Sequence, residues 1–281
     1  MTGPVLVGVP GEGALTLGRW MAEKLDAPLL IAIVHPAPAA VGSGRVDAEW
    51  VADRHRAAQR LLDQARAVVA GAVCDVETRM VASSSAAHGL HDLAEEVKAT
   101  VIVVGSGRDA PKERLFAGST AHRLLSGSSC PIAVAPPTMP ELSQGRIGVA
   151  YVDTPDGRAA LAEAATLARR TGSPIRLYTV VAAGDMPTPF WRDSERAFLE
   201  TARETYEQAL ANAAAAVPDV AVDWRIPDGD VVHTLADLDD VDVLYCGSRG
   251  YGPTRRVLLG GVSSRLIRRA RRPVVVVPRS G

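Results

Sequence analysis

The segment 247–264 places glycines and serines between an apolar strand and a helix, and these residue types can bind phosphate. It reads GSRGYGPTRRVLLGGVSS and directly follows Val243–Cys246. Gly250 and Gly252 leave backbone N–H groups unshielded, and a helix that starts near Ser263 presents unpaired N–H groups and hydroxyls. The predicted chemistry is therefore the binding of a di- or triphosphate. The alternative is structural, because glycine is common at strand-to-loop turns and Ser263 can act as a helix cap.

This segment occurs once in each half of the chain. Val101–Pro136 corresponds to Val243–Pro278, and the same offset relates Val5–Pro10 to Ile147–Val152. Self-similarity at a fixed spacing along the chain indicates a duplicated structural unit. Neither a Walker-type phosphate loop nor a strand-following GxGxxG motif is present, so the segment is not one of the standard nucleotide-binding motifs.

Each half alternates apolar strands with helices of amphipathic spacing. The predicted strands are Val5–Val9, Leu29–Val34, Val76–Val81, Val101–Val104, Ile132–Ala135, Ile147–Tyr151, Ile175–Val181, Val220–Arg225, Val243–Cys246 and Val274–Val277. The predicted helices are Leu15–Leu25, Asp47–Val69, Leu90–Lys98, Ala121–Leu125, Leu161–Arg170, Glu195–Ala216, Val231–Leu238 and Ser263–Ala270. This order predicts an α/β fold with two domains, 1–137 and 145–281, each a parallel doubly wound sheet of five strands that binds ligands at its carboxyl edge.

The composition restricts the classes of function. The chain has 281 residues, of which 47% are hydrophobic and 22% charged, and its formal net charge is −1. This balance excludes a basic field that would gather nucleic acid. No apolar run approaches the roughly 18 residues of a membrane span, and the N-terminal residues lack a signal-peptide pattern. We therefore expect a cytoplasmic protein that binds neither nucleic acid nor membranes.

Other candidate sites have weaker support. His88 and His91 lie beside Asp92, but a metal site requires a further ligand that the sequence does not supply. The three cysteines lack the spacing of a disulfide framework or a zinc site. No catalytic triad and no general base is evident. One basic cluster fits either an acidic-partner patch or, as we favour, a helix C-terminus, and comprises Arg265, Arg268, Arg269, Arg271 and Arg272.

The pattern G-x2-G-x9-G, between an apolar strand and a helix followed by PVVVVP, resembles the universal stress protein family. The resemblance covers both halves, as in the tandem members common in actinobacteria. It implies two adenine-nucleotide alpha-hydrolase-like domains whose last strands pair as an intramolecular pseudo-dimer. It also implies ATP, with Mg²⁺, as the ligand. The residues of the second half that would contact the nucleotide are Gly247, Arg249, Gly250, Gly260, Gly261, Val262 and Ser263.

The first half keeps only part of this pattern. Arg108 stands where the second glycine is expected, and it either restricts the loop, which we favour, or contacts a phosphate. In the second half, Gly261 replaces the serine or threonine of the family, which removes a hydroxyl donor. The residues of the first half that match are Gly105, Gly118, Ser119 and Thr120.

ATP-binding members of the family usually carry an aspartate at the end of the first strand. The matching positions here are Pro10 and Val152, and Asp153 follows one residue later. Asp153 is the candidate substitute, although neighbouring residues on a strand point to opposite faces. Loss of one such hydrogen bond costs about 1 kcal/mol, or roughly five- to tenfold in affinity.

Three functions are compatible with these residues. The favoured one is a regulatory protein that binds ATP or a related adenine nucleotide, mainly in the second half. The alternative is a nucleotide-free stress-response scaffold that acts through protein partners, because the expected aspartate is missing in both halves. An enzyme that slowly hydrolyses ATP or phosphorylates itself is the least favoured, since no general base is present. Two chains can also associate as a homodimer.

Overall fold

The computed structural model describes residues 3–9, 11–36, 48–107, 110–181, 192–248 and 260–278, with the backbone alone at 48–52 and 192–199. The chain divides into two compact units, Met1–Pro140 and Glu141–Gly281, which we call unit 1 and unit 2. Within each unit the strands pair only in parallel, and helices connect them. The predicted α/β fold with a parallel sheet in each half is therefore confirmed.

Unit 1 contains five strands in the order β3-β2-β1-β4-β5. Its elements are β1 (Val5–Val9), α1 (Glu12–Leu25), β2 (Leu29–Pro36), α2 (Ala48–Val68), β3 (Val76–Ser83), α3 (Ala86–Glu96), β4 (Val101–Gly105), α4 (Ser119–Leu125) and β5 (Ile132–Ala135). The order of the strands reverses between β1 and β4, and ligands of such sheets bind at the carboxyl ends of these strands.

Unit 2 repeats this arrangement, with the strand order β10-β9-β6-β7-β8. Its elements are β6 (Ile147–Ala150), α5 (Pro155–Thr171), β7 (Ile175–Tyr178), α6 (Arg192–Ala215), β8 (Val222–Arg225), α7 (Val231–Ala236), β9 (Val243–Gly247), α8 (Gly261–Leu266) and β10 (Val274–Val277). In unit 2 the strand order reverses between β6 and β9, as it does between β1 and β4 in unit 1. Equivalent strands therefore form the expected ligand-binding edge in both units.

Aliphatic side chains fill the core of each unit. Strands buried on both faces read as continuous apolar runs, and Leu6 of β1, Ile102 of β4 and Ile132 of β5 are fully buried. In unit 2, Leu244 and Val274 occupy the positions equivalent to Ile102 and Ile132 and are buried as well. The few aromatic residues are not needed, because alanine-rich helix faces approach the sheet closely.

Six of the eight helices begin earlier than apolar spacing predicts, whereas α7 begins at the predicted residue and α2 begins one residue later. α5 was expected from Leu161 but begins at Pro155, because the Thr154 hydroxyl caps it and accepts a hydrogen bond from the Gly157 N–H at 3.1 Å. Ser85 caps α3 in the same way, with the His88 N–H 3.2 Å from its hydroxyl. The first turn of a helix is polar, so hydrophobic periodicity detects it late.

The three cysteines are at least partly buried. Cys246 is buried, Cys74 and Cys130 are half-buried, and none of the three forms a disulfide. Burial raises the pKa of the Cys246 thiol to about 12, so this cysteine stays protonated.

None of the helices in the described part of the chain combines the length and the apolar character that crossing a membrane requires.

Candidate functional site

The connection from β9 to α8 in unit 2 is closed by backbone hydrogen bonds. The Ser248 N–H donates to the Val277 carbonyl at 3.0 Å, which extends the sheet beyond Gly247. The Gly260 N–H donates to the Ser248 carbonyl at 2.7 Å, and Gly260 is the N-cap of α8. The residues between these ends, which include the predicted contacts Arg249 and Gly250, lie outside the described residues. The two ends of the predicted phosphate loop therefore meet at the carboxyl edge of β9.

Gly247 is required here by the close approach of α5. A Cβ atom at this position would lie 2.7 Å from the Cβ of Asp156, closer than real contacts allow. Asp156 is 6% exposed, and its Oδ1 accepts a hydrogen bond from the Ser248 hydroxyl at 3.2 Å. Sequence analysis missed this buried carboxylate, although an acidic residue just inside a capped helix start was a usable signal.

The first residues of α8 carry backbone N–H groups that are open to a ligand. The N–H groups of Gly261, Val262 and Ser263 have no partner among the described residues, and helical bonding starts with the Ser264 N–H. Gly261 is exposed, and, apart from its chain neighbours and the backbone of α8, no atom of the described residues lies within 4 Å of an ideal Cβ at this position. Such N–H groups are the donors by which helix starts bind phosphate oxygens.

The Ser263 hydroxyl points into unit 2. Its Oγ donates to the Gly247 carbonyl at 2.6 Å, and the residue is 5% exposed. The interpretation of Ser263 as a helix cap is therefore wrong, since Gly260 holds the capping position and α8 has no side-chain cap. Among the atoms of Ser263, the backbone N–H rather than the hydroxyl is left for a ligand.

In unit 1 the corresponding connection is also closed by hydrogen bonds. The Ser106 N–H, directly after Gly105, donates to the Ala135 carbonyl at 3.0 Å. The Gly107 N–H donates to the Phe116 carbonyl at 2.7 Å, and the Phe116 N–H donates back to the Ser106 hydroxyl at 3.1 Å. These bonds fold the segment after β4 onto itself.

The start of α4 differs from that of α8 in its side chains. Gly118 is the N-cap, and Ser119 follows it as an exposed residue whose hydroxyl has no partner among the described residues. Thr120 is half-buried. Unit 1 thus retains the hydroxyl that Gly261 lacks in unit 2. Arg108 lies outside the described residues, so its two interpretations stay open.

Asp153 lies at the carboxyl edge of β6, immediately before the cap of α5. Its Oδ1 accepts a hydrogen bond from the Tyr151 hydroxyl at 3.3 Å and also pairs with the Arg158 guanidinium, while its Oδ2 has no partner among the described residues. Burial, with a further contribution from Asp153, raises the pKa of Tyr151 to about 12, which keeps the phenol a donor. The carboxylate lines a cavity of about 250 Å³ between α5 and α6.

The helix caps correct the alignment of this carboxylate with the first half. Asp153 immediately precedes the cap Thr154, as Pro10 immediately precedes the cap Gly11. Counted from the helices, the counterpart of Pro10 is therefore Asp153 and not Val152. The repeat shifts by one residue between strand and helix, and unit 2 has an aspartate where unit 1 has a proline.

The histidines of α3 pair with acidic residues of their own helix. Nε2 of His88 lies 3.4 Å from Asp92, and Nε2 of His91 lies 3.4 Å from Glu95. Together with Arg123 the histidines line a cavity of about 250 Å³. In the described parts of the chain, no group of three His, Cys, Asp or Glu side chains is placed to hold a metal ion.

Part of the basic cluster binds groups of unit 2. α8 ends at Leu266, so the interpretation as a helix C-terminus applies to Arg265 alone. The Arg271 Nε donates to Asp237 at 3.1 Å, and the Arg272 guanidinium donates to the carbonyls of Asp239 and Glu141 at 2.8 Å and 3.1 Å. Arg271 and Arg272 therefore tie the segment before β10 to neighbouring loops.

The chain matches the universal stress protein family twice, over residues 1–136 and 145–278. A universal stress protein of Mycobacterium tuberculosis (strain ATCC 25618 / H37Rv) is 31% identical over 293 residues, and the match covers 97% of each chain. A solved universal stress protein from Archaeoglobus fulgidus DSM 4304 shares the fold with a TM-score of 0.66, at 18% identity over 99% of this chain and 97% of that one. Another from Archaeoglobus fulgidus, in complex with dAMP, is 22% identical over 47% of this chain and 96% of that one, with a TM-score of 0.35.

Proposed function

We propose, because this chain belongs to the universal stress protein family, that unit 2 binds ATP or a related adenine nucleotide at the carboxyl edge of its sheet. The observation that carries the proposal is that the N–H groups of Gly261, Val262 and Ser263 have no partner among the described residues. They stand beside the end of β9, at the place where the glycine pattern of the sequence predicts phosphate contacts. Backbone donors at this edge provide fixed dipoles for an anionic ligand.

The hydrogen bonds around this connection support a preorganised phosphate site. The bonds from the Gly260 N–H to Ser248 and from the Ser263 hydroxyl to Gly247 fix the start of α8 against the end of β9. A site whose donors are already in place loses little conformational entropy when the ligand arrives. Phosphate oxygens would be bound here by main-chain atoms, and Gly247 has no Cβ that would collide with Asp156 of α5.

Asp153 would contact the nucleoside. Its Oδ2 has no partner among the described residues and can accept an N–H or O–H group, while Tyr151 and Arg158 hold Oδ1. Asp156 lies against Gly247 at the end of β9, but its carboxylate is buried and accepts a hydrogen bond from Ser248. Mg²⁺ would therefore be held mainly by the phosphates and enter the site with them. Unit 1 has Pro10 in place of the Asp153 carboxylate, so unit 2 is the proposed site.

The test is calorimetric titration of the whole protein with ATP and Mg²⁺. The variant G261S restores a hydroxyl where space is open, and we expect it to tighten binding about five- to tenfold. G250R should weaken binding, and G127S, also at a position with open space, is the matched control without effect. Absence of both heat and thermal shift at millimolar ATP would refute the proposal.

A second candidate is a nucleotide-free scaffold that acts through protein partners. It is favoured by the Asp153–Arg158 ion pair, which engages one oxygen of the carboxylate that a nucleoside would need. Mass spectrometry of protein purified without added ligand separates the two functions. Bound adenine nucleotide supports the first proposal, and its absence together with silent titrations supports the scaffold.

A further inference from the structure

One outer strand of unit 1, β3, is hydrogen-bonded to a neighbouring strand on one side only in the described part of the chain. β3 runs over Val76–Ser83 and pairs in parallel with β2. The Leu29 N–H donates to the Asp75 carbonyl at 2.8 Å, so the backbone groups of Glu77 and the other odd-numbered residues face β2. Because backbone direction alternates along a strand, the N–H and C=O groups of the even-numbered residues face outward. These outward groups are ready to pair with another strand.

The side chains along this edge carry opposite charges two residues apart. Arg79 pairs with Glu96 of α3 at 2.8 Å, so Arg79 and Glu77 share the α3 face of the sheet. Thr78 lies on the other face, where its hydroxyl accepts a hydrogen bond from Arg66 of α2 at 2.5 Å. Glu77 is exposed and has no ion-pair partner among the described residues. The edge therefore presents an uncompensated carboxylate beside an accessible guanidinium.

We propose that unit 1 associates with a second copy of the chain by antiparallel pairing of β3 with β3, about a two-fold axis at Thr78. In this register Thr78 faces Thr78, and Val76 faces Met80, which joins the outward backbone groups of both copies. Glu77 of each copy then faces Arg79 of the other in a close, non-hydrogen-bonded pair. Opposite charges placed directly across two strands attract, so the edge is self-complementary.

The equivalent strand of unit 2, β8, has the same alternation of charge, but both of its charged residues are paired. Asp223 and Arg225 match Glu77 and Arg79 in order. However, Asp223 accepts a hydrogen bond from the Arg176 Nε at 2.6 Å, and Arg225 pairs with Asp240 at 3.3 Å. β8 also spans only Val222–Arg225. Arg79 is ion-paired as Arg225 is, so the two edges differ in Glu77, which has no ion-pair partner among the described residues, and in the greater length of β3. An interface formed by the same edge twice closes as a dimer.

The experiment is sedimentation equilibrium of the full chain and two charge-reversal variants. E77R places Arg opposite Arg79, and R79E places Glu opposite Glu77, so each variant alone should dimerise at least about tenfold more weakly than the wild type. An equimolar mixture of the two variants should regain wild-type affinity, because every pair across the interface is then of opposite sign. Recovery on mixing also shows that both variants are folded.

R225E on β8 is the matched control, and its association should equal that of the wild type. A monomeric wild type at the highest soluble concentration overturns the proposal and leaves β3 for a different occupant such as an extended peptide. A dimer that neither E77R nor R79E weakens overturns it as well, since another surface then forms the interface. Failure of the mixture to recover, or equal weakening by R225E, overturns the two-fold β3 pairing. None of these outcomes depends on nucleotide binding.

Discussion

Equivalent positions in the two sheets hold Leu30 in unit 1 and Arg176 in unit 2. Leu30 lies in register with Glu77, and Arg176 lies in register with Asp223. Both residues are nearly buried, at 2% and 9% exposure. Unit 1 therefore fills this place with aliphatic packing, whereas unit 2 fills it with a charged network. The two units therefore share the register of their strands, whereas the side chains packed on equivalent positions of the sheet differ in chemical type.

The network in unit 2 joins two strands to the loop before β9. The Arg176 guanidinium donates to Asp223 at 2.6 Å and to Asp240 at 2.7 Å, and the Tyr178 hydroxyl donates to Asp240 at 2.5 Å. The hydrogen bond from Arg176 lowers the pKa of Asp223. Burial and the bond to Asp240 raise the pKa of Tyr178. The Arg176 cation thus favours the ionised carboxylate of Asp223, and the Asp240 carboxylate favours the neutral phenol of Tyr178.

The units also anchor their first strands with different side chains. In unit 1 the Thr100 hydroxyl donates to the Gly3 carbonyl at 2.7 Å. In unit 2 the Asp242 carboxylate occupies the corresponding place and accepts the N–H groups of Gln144 and Gly145 at 2.9 Å and 2.8 Å. A neutral donor and a charged acceptor hold the same piece of backbone, so unit 2 again uses charge where unit 1 does not.

The largest effect that tests this comparison is expected from R176L, which gives unit 2 the residue type of unit 1. Loss of the guanidinium leaves Asp223 and Asp240 without their shared cation. We expect the free energy of unfolding to fall by about 2–3 kcal/mol. Breaking a fully buried ion pair costs about 3–5 kcal/mol, and the loss here should be smaller because the Asp223 side chain is half exposed. Urea unfolding of the whole protein, followed by circular dichroism, measures it.

The control for this substitution is R169L. Arg169 makes a comparable two-point contact with Asp219, but both side chains are exposed to solvent. Exposed pairs contribute little, so R169L should unfold close to the wild type. Equal losses in R169L and R176L would show that burial of the network is not what stabilises unit 2.

A smaller and pH-dependent effect follows from the same carboxylates. Burial alone would raise the pKa of Asp240, but hydrogen bonds from Tyr178 and Arg176 bring it below its ordinary value of 3.8, and Arg176 lowers that of Asp223. Groups with a lowered pKa stabilise the fold above pH 3.8 and lose this contribution as the pH falls through the lowered value. The stability gap between wild type and R176L should therefore narrow below pH 3.8. A gap that is constant from neutral pH to acid would exclude the ionised network as its source.

Continuous apolar runs made most strands predictable from the sequence. β1, β5 and β10 begin and end where their runs of Val, Ile and Ala do. Helix starts were predicted late, because capping residues such as Thr154 precede the first apolar position. The network around Arg176 was not predicted, since its partners come from separate segments that only the sheet register brings together.

The candidate site was predictable as a place but not as a set of contacts. The glycine pattern locates the connection from β9 to α8. The direction of Ser263 and the burial of Asp156 depend on how α5 approaches Gly247, which no local pattern encodes. The constant offset of the repeat also hid the one-residue shift that aligns Asp153 with Pro10. Tertiary packing decided each of these points.

The smallest expected effect separates structure from binding at α8. Ser263 corresponds to the buried Ala121 of unit 1, so S263A gives unit 2 a residue that the same position already accommodates. Because the Ser263 hydroxyl donates to the Gly247 carbonyl, its loss should reduce the free energy of unfolding by about 1 kcal/mol. Under the proposed function, nucleotide affinity should stay within about twofold of the wild type, because the backbone N–H of Ser263, rather than its hydroxyl, would contact the phosphates. Calorimetry and urea unfolding of the same preparation distinguish the two effects. A strong loss of affinity with unchanged stability would mean that the hydroxyl leaves Gly247 to contact the nucleotide.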